Sequence, residues 1–175
     1  DFTGAGLNLT VFNVVDSSKI LQGIRDVWAS PYTERSYKWR QRYLNNPENV
    51  FPSILVIPSV NTAHSGVMIT KGITTGREED ITVAFNRGVG GAVDGQAAES
   101  WLLSDDGADQ LITPAREATY LSIPATGGSV KVKTTFEQRI LTPENLQTLR
   151  TLSARILKEL PGSPGIHTSG PFDME

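Results

Sequence analysis

The order of helical and β-type segments along the chain restricts its fold more than any other feature. Two amphipathic helical patterns come first, short β-type segments fill the middle, and one strong helical pattern follows residue 142. A repeating strand–helix–strand order would predict a parallel sheet, whereas separated helical and β-type regions are typical of α+β proteins. We therefore predict the α+β class, with a mainly antiparallel sheet and flanking helices.

Three helices are predicted from residues that favour helix starts and from apolar residues repeated every three or four positions. The first helix places Ile20, Ile24 and Val27 on one face. The third has the strongest pattern, because a cap, a proline and an acid open it and Pro161-Gly162 ends it. The predicted starts are Ser17 or Ser18, Ser30-Pro31 and Thr142-Pro143-Glu144.

The β-type sequence consists of short apolar runs separated by glycine, proline and polar residues. Pro58 interrupts the first run, and a proline inside a strand indicates an edge strand or the end of a strand. Gly127-Gly128 joins the last two runs, which predicts a hairpin. The predicted strands are residues 54–60, 66–70, 81–85, 118–123 and 129–134.

Composition excludes several classes of protein. The 175 residues carry 16 Lys and Arg against 19 Asp and Glu, so whole-domain attraction to nucleic acid or to an anionic membrane is not expected. The absence of cysteine excludes disulfides, a thiol nucleophile and thiolate metal sites. We interpret the two histidines, His64 and His167, as structural or exposed. We expect a cytoplasmic protein.

A glycine-rich loop, Gly88-Val89-Gly90-Gly91, follows one of the predicted strands. Glycines at such a place let the backbone approach a phosphate and direct N–H groups at it. The spacing is neither that of a P-loop, which needs a following Gly-Lys-Ser/Thr, nor that of a dinucleotide-binding fingerprint. A phosphate-binding loop and a simple tight turn both remain open from the residues alone.

Basic and aromatic residues alternate in the second predicted helix, from Arg35 to Tyr43. Such interleaving occurs in proteins that bind single-stranded nucleic acid. At helical spacing, however, the rings of Tyr32, Trp39 and Tyr43 fall on the face expected to pack inward, and the basic residues form a solvated face. We therefore predict an ordinary amphipathic helix, with nucleic-acid binding as the alternative.

Asp173 and Glu175 are separated by one residue near the end of the sequence. Side chains at alternate positions of a strand point to the same face. Two carboxylates on one face can hold Mg²⁺ beside phosphates. The alternative is a surface strand that carries two acids without a ligand.

Five short motifs stand in order along nearly the whole chain. They are Asp1-Phe-Thr-Gly4 with Val11-Phe-Asn-Val14, Trp28-Ala-Ser-Pro-Tyr-Thr-Glu-Arg35, Ser65-Gly-Val-Met-Ile-Thr70, Gly88-Val-Gly-Gly-Ala-Val-Asp-Gly95 and Phe172-Asp-Met-Glu175. This ordered set resembles the phosphoenolpyruvate synthase and pyruvate phosphate dikinase family, in which the corresponding stretches include Trp-Ala-Ser-Leu-Phe-Thr-Glu-Arg and Ser-Gly-Val-Met-Phe-Thr.

The resemblance implies an ATP-grasp fold. Family members bind Mg-ATP between two subdomains and pass a phosphoryl group to a histidine on a separate swivelling domain. Residues 1–175 would be the C-terminal portion of the nucleotide-binding domain, a fragment of a longer chain that does not turn over alone. The implied cofactors are ATP and Mg²⁺, and the implied partner is the phosphohistidine domain of the parent chain.

Site residues follow from the same resemblance. The glycine turn and the carboxylate pair are expected to meet around the triphosphate, and residues 54–60 would be the hinge strand whose backbone meets adenine. The implied catalytic and metal-binding residues are Asp173 and Glu175, and the implied nucleotide-binding residues are Ile57, Ser59, Gly88 and Gly90.

Two of the corresponding segments depart from the family pattern. The hinge, Val-Gln-x-Met-Val in the family, is Val56-Ile-Pro-Ser-Val60 here, and proline removes a backbone donor where adenine recognition is expected. Gly91 stands where the family's Gly-Leu-Gly-Glu motif has its glutamate. These departures leave an alternative open, namely a degenerate, non-catalytic relative that acts as a binding or regulatory domain.

Overall fold

The computed structural model describes residues 7–91 and 97–175, and the chain divides into two compact units. Residues up to 60 together with 123–130 belong to the first unit, and residues 61–122 together with 131–175 belong to the second. The described residues contain three α-helices and a mainly antiparallel sheet, which confirms the predicted α+β class. No helix in these ranges is long and apolar enough to cross a membrane.

The first unit contains the two N-terminal helices. α1 covers Ser17–Ala29, a 3₁₀ turn covers Ser30–Tyr32, and α2 covers Glu34–Tyr43. The cap of α1 is Asp16, which precedes both predicted positions, Ser17 and Ser18. Its carboxylate accepts the backbone N–H of Ser18 at 2.9 Å. That hydrogen bond lowers the pKa of Asp16, and the negative charge is favourable at a helix N-terminus.

The predicted strand at residues 54–60 is absent. The whole segment 44–63 forms neither helix nor strand. Leu55 is 82% exposed. Pro52 and Pro58 have no backbone N–H to contribute to a ladder. No strand described in the structure pairs with this segment, so its apolar composition alone does not produce β-structure.

Asn13 ties the tip of a hairpin into the first unit. Its φ of 51° lies in the left-handed region, which asparagine tolerates better than most residues. The side-chain Nδ2 donates to the carbonyl of Pro124 at 2.6 Å and to that of Gly128 at 2.9 Å. The N–H of Gly128 donates in return to the Asn13 carbonyl at 3.0 Å. One residue therefore joins segments that are distant in sequence.

Seven strands are described, and five of them form an antiparallel sheet in the order β4-β3-β2-β1-β7, while β5 and β6 pair with each other. The predicted strands at 66–70 and 81–85 and the predicted hairpin are confirmed, whereas β3 and β4 were not predicted. The bounds are β1 His64–Ile69, β2 Ile81–Arg87, β3 Glu99–Leu103, β4 Gln110–Thr113, β5 Thr119–Ser122, β6 Val130–Lys133 and β7 Asp173–Met174.

The third helix, α3 (Pro143–Glu159), packs on one face of the five-stranded sheet. Its predicted start is confirmed by a capping box, in which Thr142 Oγ1 accepts the Asn145 N–H and Asn145 Oδ1 accepts the Thr142 N–H. Leu146 of this helix joins a core that includes Val83 and Leu103, both 0% exposed. Burial of this apolar face stabilises the helix more than its cap does.

Glu99 is a buried acid within this core and is 2% exposed. Its carboxylate accepts the backbone N–H groups of Ile140 at 2.9 Å and Leu141 at 3.0 Å, and the indole N–H of Trp101 at 3.0 Å. These three donors satisfy the oxygens of a side chain whose burial without hydrogen bonds would be costly in free energy. Since Ile140 and Leu141 come shortly before α3, the carboxylate attaches the helix entrance to β3.

Asp80, 1% exposed, fixes the loop that leads into β2. Its carboxylate accepts the hydroxyl of Thr75 at 2.7 Å and the backbone N–H of Asp105 at 3.3 Å. The hydrogen bond from Thr75 is the largest of the effects that lower the pKa of Asp80, and Asp105 and Arg77 act in the same direction. The ionised carboxylate is therefore the form that holds this loop.

We expect Glu99→Ala to lower the free energy of unfolding by about 3 kcal/mol or more, because a buried donor without an acceptor costs about 1–3 kcal/mol and this change leaves three such donors. Urea unfolding followed by circular dichroism measures the change. Glu48→Ala, at an exposed acid, is the control and should have an effect below about 0.5 kcal/mol. Equal effects of the two substitutions would contradict the role given to Glu99.

Thr75→Val should make the chain less stable in a pH-dependent way. Because the pKa of Asp80 is lowered in the folded state, its contribution to stability is present above the unfolded pKa and is lost as the pH falls through the folded pKa. The stability difference between Thr75→Val and the unchanged chain should therefore be constant from about pH 7 to about pH 5 and shrink below about pH 4. Urea unfolding across this range tests it, and a difference independent of pH would refute it.

Candidate functional site

A cleft of about 400 Å³ opens in the second unit where the β1–β2 pair ends. His64 and Arg87 are the last partners of that pair, and β5 forms another side of the cleft. Its polar walls offer hydroxyl, amide, imidazole and guanidinium groups. The lining residues are Asn61, Thr62, Ala63, His64, Arg87, Tyr120 and Ser122.

Gly88 lets β5 pass directly beside the end of β2. It has a φ of 69°, and a Cβ at this position would lie 2.0 Å from the carbonyl oxygen of Leu121 and 2.6 Å from Cδ2 of Tyr120. Its N–H donates to the carbonyl of Ala63 at 2.8 Å, and the N–H of Val89 donates to Leu121 at 3.0 Å. Glycine is thus required by conformation and by close packing, and both N–H groups are already used.

Arg87 is held in a fixed position in the wall of the cleft. Nη1 lies 3.0 Å from Oε1 of Glu117, and Nη2 donates to the carbonyl of Gln138 at 2.6 Å. The side chains of Arg87 and Glu117 are 15% and 2% exposed, so this ion pair is largely withdrawn from water. Since both terminal nitrogens have partners, the guanidinium keeps little rotational freedom.

His64 faces Arg87 across the end of the β1–β2 pair. Partial burial has the largest effect on its pKa and lowers it, and the positive charge of Arg87 lowers it further, while Glu99 acts in the opposite direction. The imidazole is therefore mainly neutral at pH 7 and can both donate and accept a hydrogen bond.

The predicted metal-binding carboxylates lie at an edge of the sheet. β7 pairs Asp173 with Ile69 of β1. Two hydrogen bonds between Phe172 and Thr70, at 2.9 Å and 3.0 Å, hold this short strand in place. The side chains of Asp173 and of Glu175, the residue after the end of β7, are both exposed.

Asp173 and the cleft lie on opposite faces of the sheet. Partners in register share a face and neighbours along a strand alternate, so Asp173 shares a face with Ile69, whereas His64 and Arg87 share the other. Ala63 accepts a hydrogen bond from Gly88 and so marks the level of the glycine turn. Ile69, the partner of Asp173, lies roughly 20 Å further along the chain, at about 3.3 Å per residue. The structure therefore does not bring Asp173 next to the glycine turn, in contrast to the expectation from the motifs.

The fit of Asp173 and Glu175 to Mg²⁺ depends on what else can bind the ion. In the described ranges there is no group of three or more His, Asp or Glu side chains that could hold a metal ion. Magnesium in phosphate-binding sites commonly takes one or two carboxylates and completes its shell with water and phosphate oxygens. An exposed pair of carboxylates fits that pattern.

The remaining predicted nucleotide contacts divide between the two units. Ile57, 67% exposed, and Ser59, whose Oγ accepts a backbone N–H at 3.2 Å, belong to the first unit. Gly90, with a φ of 76°, belongs to the second. The rest of the glycine motif, residues 92–95, and the first part of the first motif, residues 1–4, lie outside the described residues.

The interpretation of α2 as a helix with buried rings and solvated basic residues is wrong at Arg40. Arg40 is 3% exposed, whereas Tyr32 and Tyr43 are more than half exposed. The guanidinium carbon lies 4.9 Å from the ring centroid of Tyr32 and 5.6 Å from that of Tyr37, and Nη1 donates to the carbonyl of Pro47. A planar, delocalised cation can stack on aromatic rings in this way, which a polarity pattern does not indicate.

We expect Gly88→Ala to lower the free energy of unfolding by more than about 2 kcal/mol, because a positive φ and a clash with a backbone carbonyl both oppose a side chain. Gly107→Ala is the matched control, since Gly107 has a φ of 80° but nothing within 4 Å of an added Cβ. Only the conformational cost of about 1 kcal/mol remains there. Urea unfolding of the two variants measures both effects, and similar losses would contradict the close passage of β5.

Comparison with known proteins places the chain in a family. The model of the family described as pyruvate phosphate dikinase, AMP/ATP-binding domain, matches residues 1–175. The chain is 25% identical to a probable phosphoenolpyruvate synthase of Pyrococcus horikoshii, over 98% of the chain and 21% of that protein. It is also 25% identical to a phosphoenolpyruvate synthase of Pyrococcus furiosus, over 87% of the chain and 20% of that protein.

A rifampicin phosphotransferase of a Streptomyces species is 29% identical over 98% of the chain and 19% of that protein. The chain spans about a fifth of the length of these relatives. The family match covers all five motifs, including those outside the described residues. The resemblance is thereby confirmed, and the chain belongs to the pyruvate phosphate dikinase AMP/ATP-binding domain family.

Proposed function

We propose that this chain is part of the ATP-binding domain of a phosphoenolpyruvate synthase-like phosphotransferase, which passes a phosphoryl group from ATP to a histidine on another domain. The observation that carries the proposal is the family match over residues 1–175. The phosphoenolpyruvate synthases among the relatives support it. Those relatives are much longer than this chain, which supports a carrier domain elsewhere in the parent.

Asp173 and Glu175 have the central role in this proposal, as the catalytic carboxylates that hold Mg²⁺. Both are exposed, and the hydrogen bonds between Phe172 and Thr70 fix the strand on which Asp173 lies. Mg²⁺, when bound, neutralises charge on the transferring phosphate. The two carboxylates determine where the ion sits, so their main contribution is to position the phosphate.

The backbone around Ile57 and Ser59 contacts adenine in this proposal. Residues 44–63 form no strand, so the polar groups of these two residues do not belong to a sheet ladder. Pro58 between them offers a carbonyl but no N–H. Gly90 contributes a backbone N–H to the phosphates, whereas Gly88 contributes the close approach of the chain, because its own N–H already donates to Ala63.

The phosphoryl acceptor lies outside this chain in the proposal. His64 lines a cleft on the face of the sheet opposite Asp173, and His167 is exposed in a loop. We therefore assign neither histidine as the carrier. A cytoplasmic location belongs to the same proposal, since the reaction consumes ATP.

A degenerate binding or regulatory domain is the second candidate, and three observations favour it. Pro58 removes a donor from the hinge, and the N–H of Gly88 is used within the protein. Asp173 also lies roughly 20 Å along β1 from the level of the glycine turn. A domain of this kind would keep the fold without binding Mg-ATP.

Isothermal titration of the full-length parent with Mg-ATP distinguishes the two candidates. We expect saturable binding that AMP competes with, and a loss of affinity of about tenfold or more in the Asp173→Asn, Glu175→Gln double variant, because the metal loses two charged ligands. Glu48→Gln is the control and should leave affinity unchanged. Absence of heat together with absence of competition by AMP would refute the ATP-binding proposal and favour the regulatory one.

A further inference from the structure

We propose that the cleft lined by His64, Arg87 and Tyr120 is a separate binding site for a tetrahedral oxyanion, either a free ion or the phosphate group of a small molecule. Asp173 lies on the other face of the sheet and roughly 20 Å along β1 from the level of Gly88. The proposal therefore does not rest on the carboxylate pair of the proposed Mg-ATP site. Gly88 borders the cleft and is also one of the proposed nucleotide contacts, but sulfate binding at His64 requires neither Mg²⁺ nor the nucleotide.

The groups that line the cleft suit a phosphate-like ligand. The guanidinium of Arg87 and the hydroxyl of Tyr120 can donate to its oxygens, whereas the Ser122 hydroxyl donates to Asn61 Oδ1 at 3.3 Å. No carboxylate is among the residues that line the described cleft. Repulsion from a lining acid is thus avoided. The volume of about 400 Å³ is within the range of clefts that hold small molecules.

Arg87 is preorganised for this role. Its Nη1 is held by Glu117 at 3.0 Å and its Nη2 by the carbonyl of Gln138 at 2.6 Å. An arginine that is already ordered loses little further side-chain entropy on binding. Glu117 also cancels part of the positive charge, so we expect affinity in the millimolar range rather than tight binding.

Gly88 brings β5 to the cleft. Because Gly88 has no Cβ, the carbonyl of Leu121 and the ring of Tyr120 can lie against the end of β2. The hydroxyl-bearing residues Tyr120 and Ser122 consequently line the same cleft as Arg87. Gly88 thus contributes to the anion site indirectly, because it leaves room for the strand that carries Tyr120 and Ser122. Its own N–H is not available to the anion, since it donates to Ala63.

His64 makes the site sensitive to pH. The charged groups that act on it are Arg87 on β2 and Glu99 on β3, and Glu117 is paired with Arg87 at 3.0 Å. An anion in the cleft favours the imidazolium, so binding strengthens as the pH falls through the pKa of His64. Sulfate stays doubly charged over this range, so a pH effect on sulfate binding belongs to the protein.

Titration of the 175-residue chain with sodium sulfate, followed by NMR of its two histidine side chains, tests the site. Sodium chloride at matched ionic strength corrects for screening. We expect a saturable shift at His64 that is about threefold or more tighter at pH 5.5 than at pH 8, and no saturable shift at His167, which serves as the internal control. No saturation at His64, or equal behaviour of both histidines, would overturn the proposal.

Two variants test the residues. Arg87→Gln combined with Glu117→Gln replaces both members of the buried ion pair by amides, so no buried charge is left unpaired. We expect this double variant to weaken sulfate binding about tenfold. Its amide NMR dispersion shows whether it folds, and if it does not, Tyr120→Phe with an expected loss of about threefold takes its place. Undiminished sulfate affinity in a folded variant would overturn the proposal.

Competition identifies the source of the oxyanion. Displacement of sulfate by inorganic phosphate alone indicates a free ion or a small phosphorylated molecule, and displacement by Mg-ATP indicates a phosphate of the nucleotide; either supports the site. If neither displaces sulfate, the phosphate assignment is overturned. Glu48→Gln, at an exposed acid, is the control and should bind sulfate normally. The sulfate titration contains no Mg²⁺ or nucleotide, so failure of this site is distinguishable from failure of the Mg-ATP site.

Discussion

The buried carboxylate of Glu99 accepts three N–H groups and thereby joins the middle of the sheet to the entrance of α3. Without the Glu99 carboxylate, the backbone N–H groups of Ile140 and Leu141 would be buried in an apolar core without an acceptor. The cost in free energy would oppose the docking of α3 in its present place. The docking of α3 covers the face that contains Val83 and Leu103. The covered sheet in turn positions the cleft at the end of the β1–β2 pair and Asp173 at the edge strand β7.

Local chemistry explains which elements could be predicted. The start of α3 is encoded within four residues by Thr142 and its neighbours, so the sequence predicts it correctly. β3 escapes prediction because it begins with Glu99, an acid that becomes a core residue only through donors about forty positions away. Residues 54–57 have strand-like composition, but pairing depends on a partner strand and on backbone N–H groups that prolines do not supply.

The candidate site shows the same division between local and distant information. The glycine motif correctly predicts a close backbone approach at the end of β2. Its residues do not indicate, however, that the N–H of Gly88 donates to the carbonyl of Ala63. The pairing of Arg87 with Glu117 joins residues 30 positions apart, and no periodic pattern connects them. Arg40 is missed for a related reason, since stacking on tyrosine rings lets a cation take an inward position. The family match identifies the domain, whereas these contacts are found only in the structure.

Pro52 and Pro58, on either side of the exposed apolar residues 54–57, also affect the tendency of the chain to aggregate. Ile54, Leu55, Val56 and Ile57 form a run that, if longer, would have the composition of a fibril-forming segment. Pro52 and Pro58 bracket it and hold the uninterrupted apolar stretch below the six or seven residues that cross-β stacking needs. The two prolines act as gatekeeper residues. They disfavour a strand at residues 54–57 in the folded chain, and they also oppose amyloid-like assembly of this exposed segment.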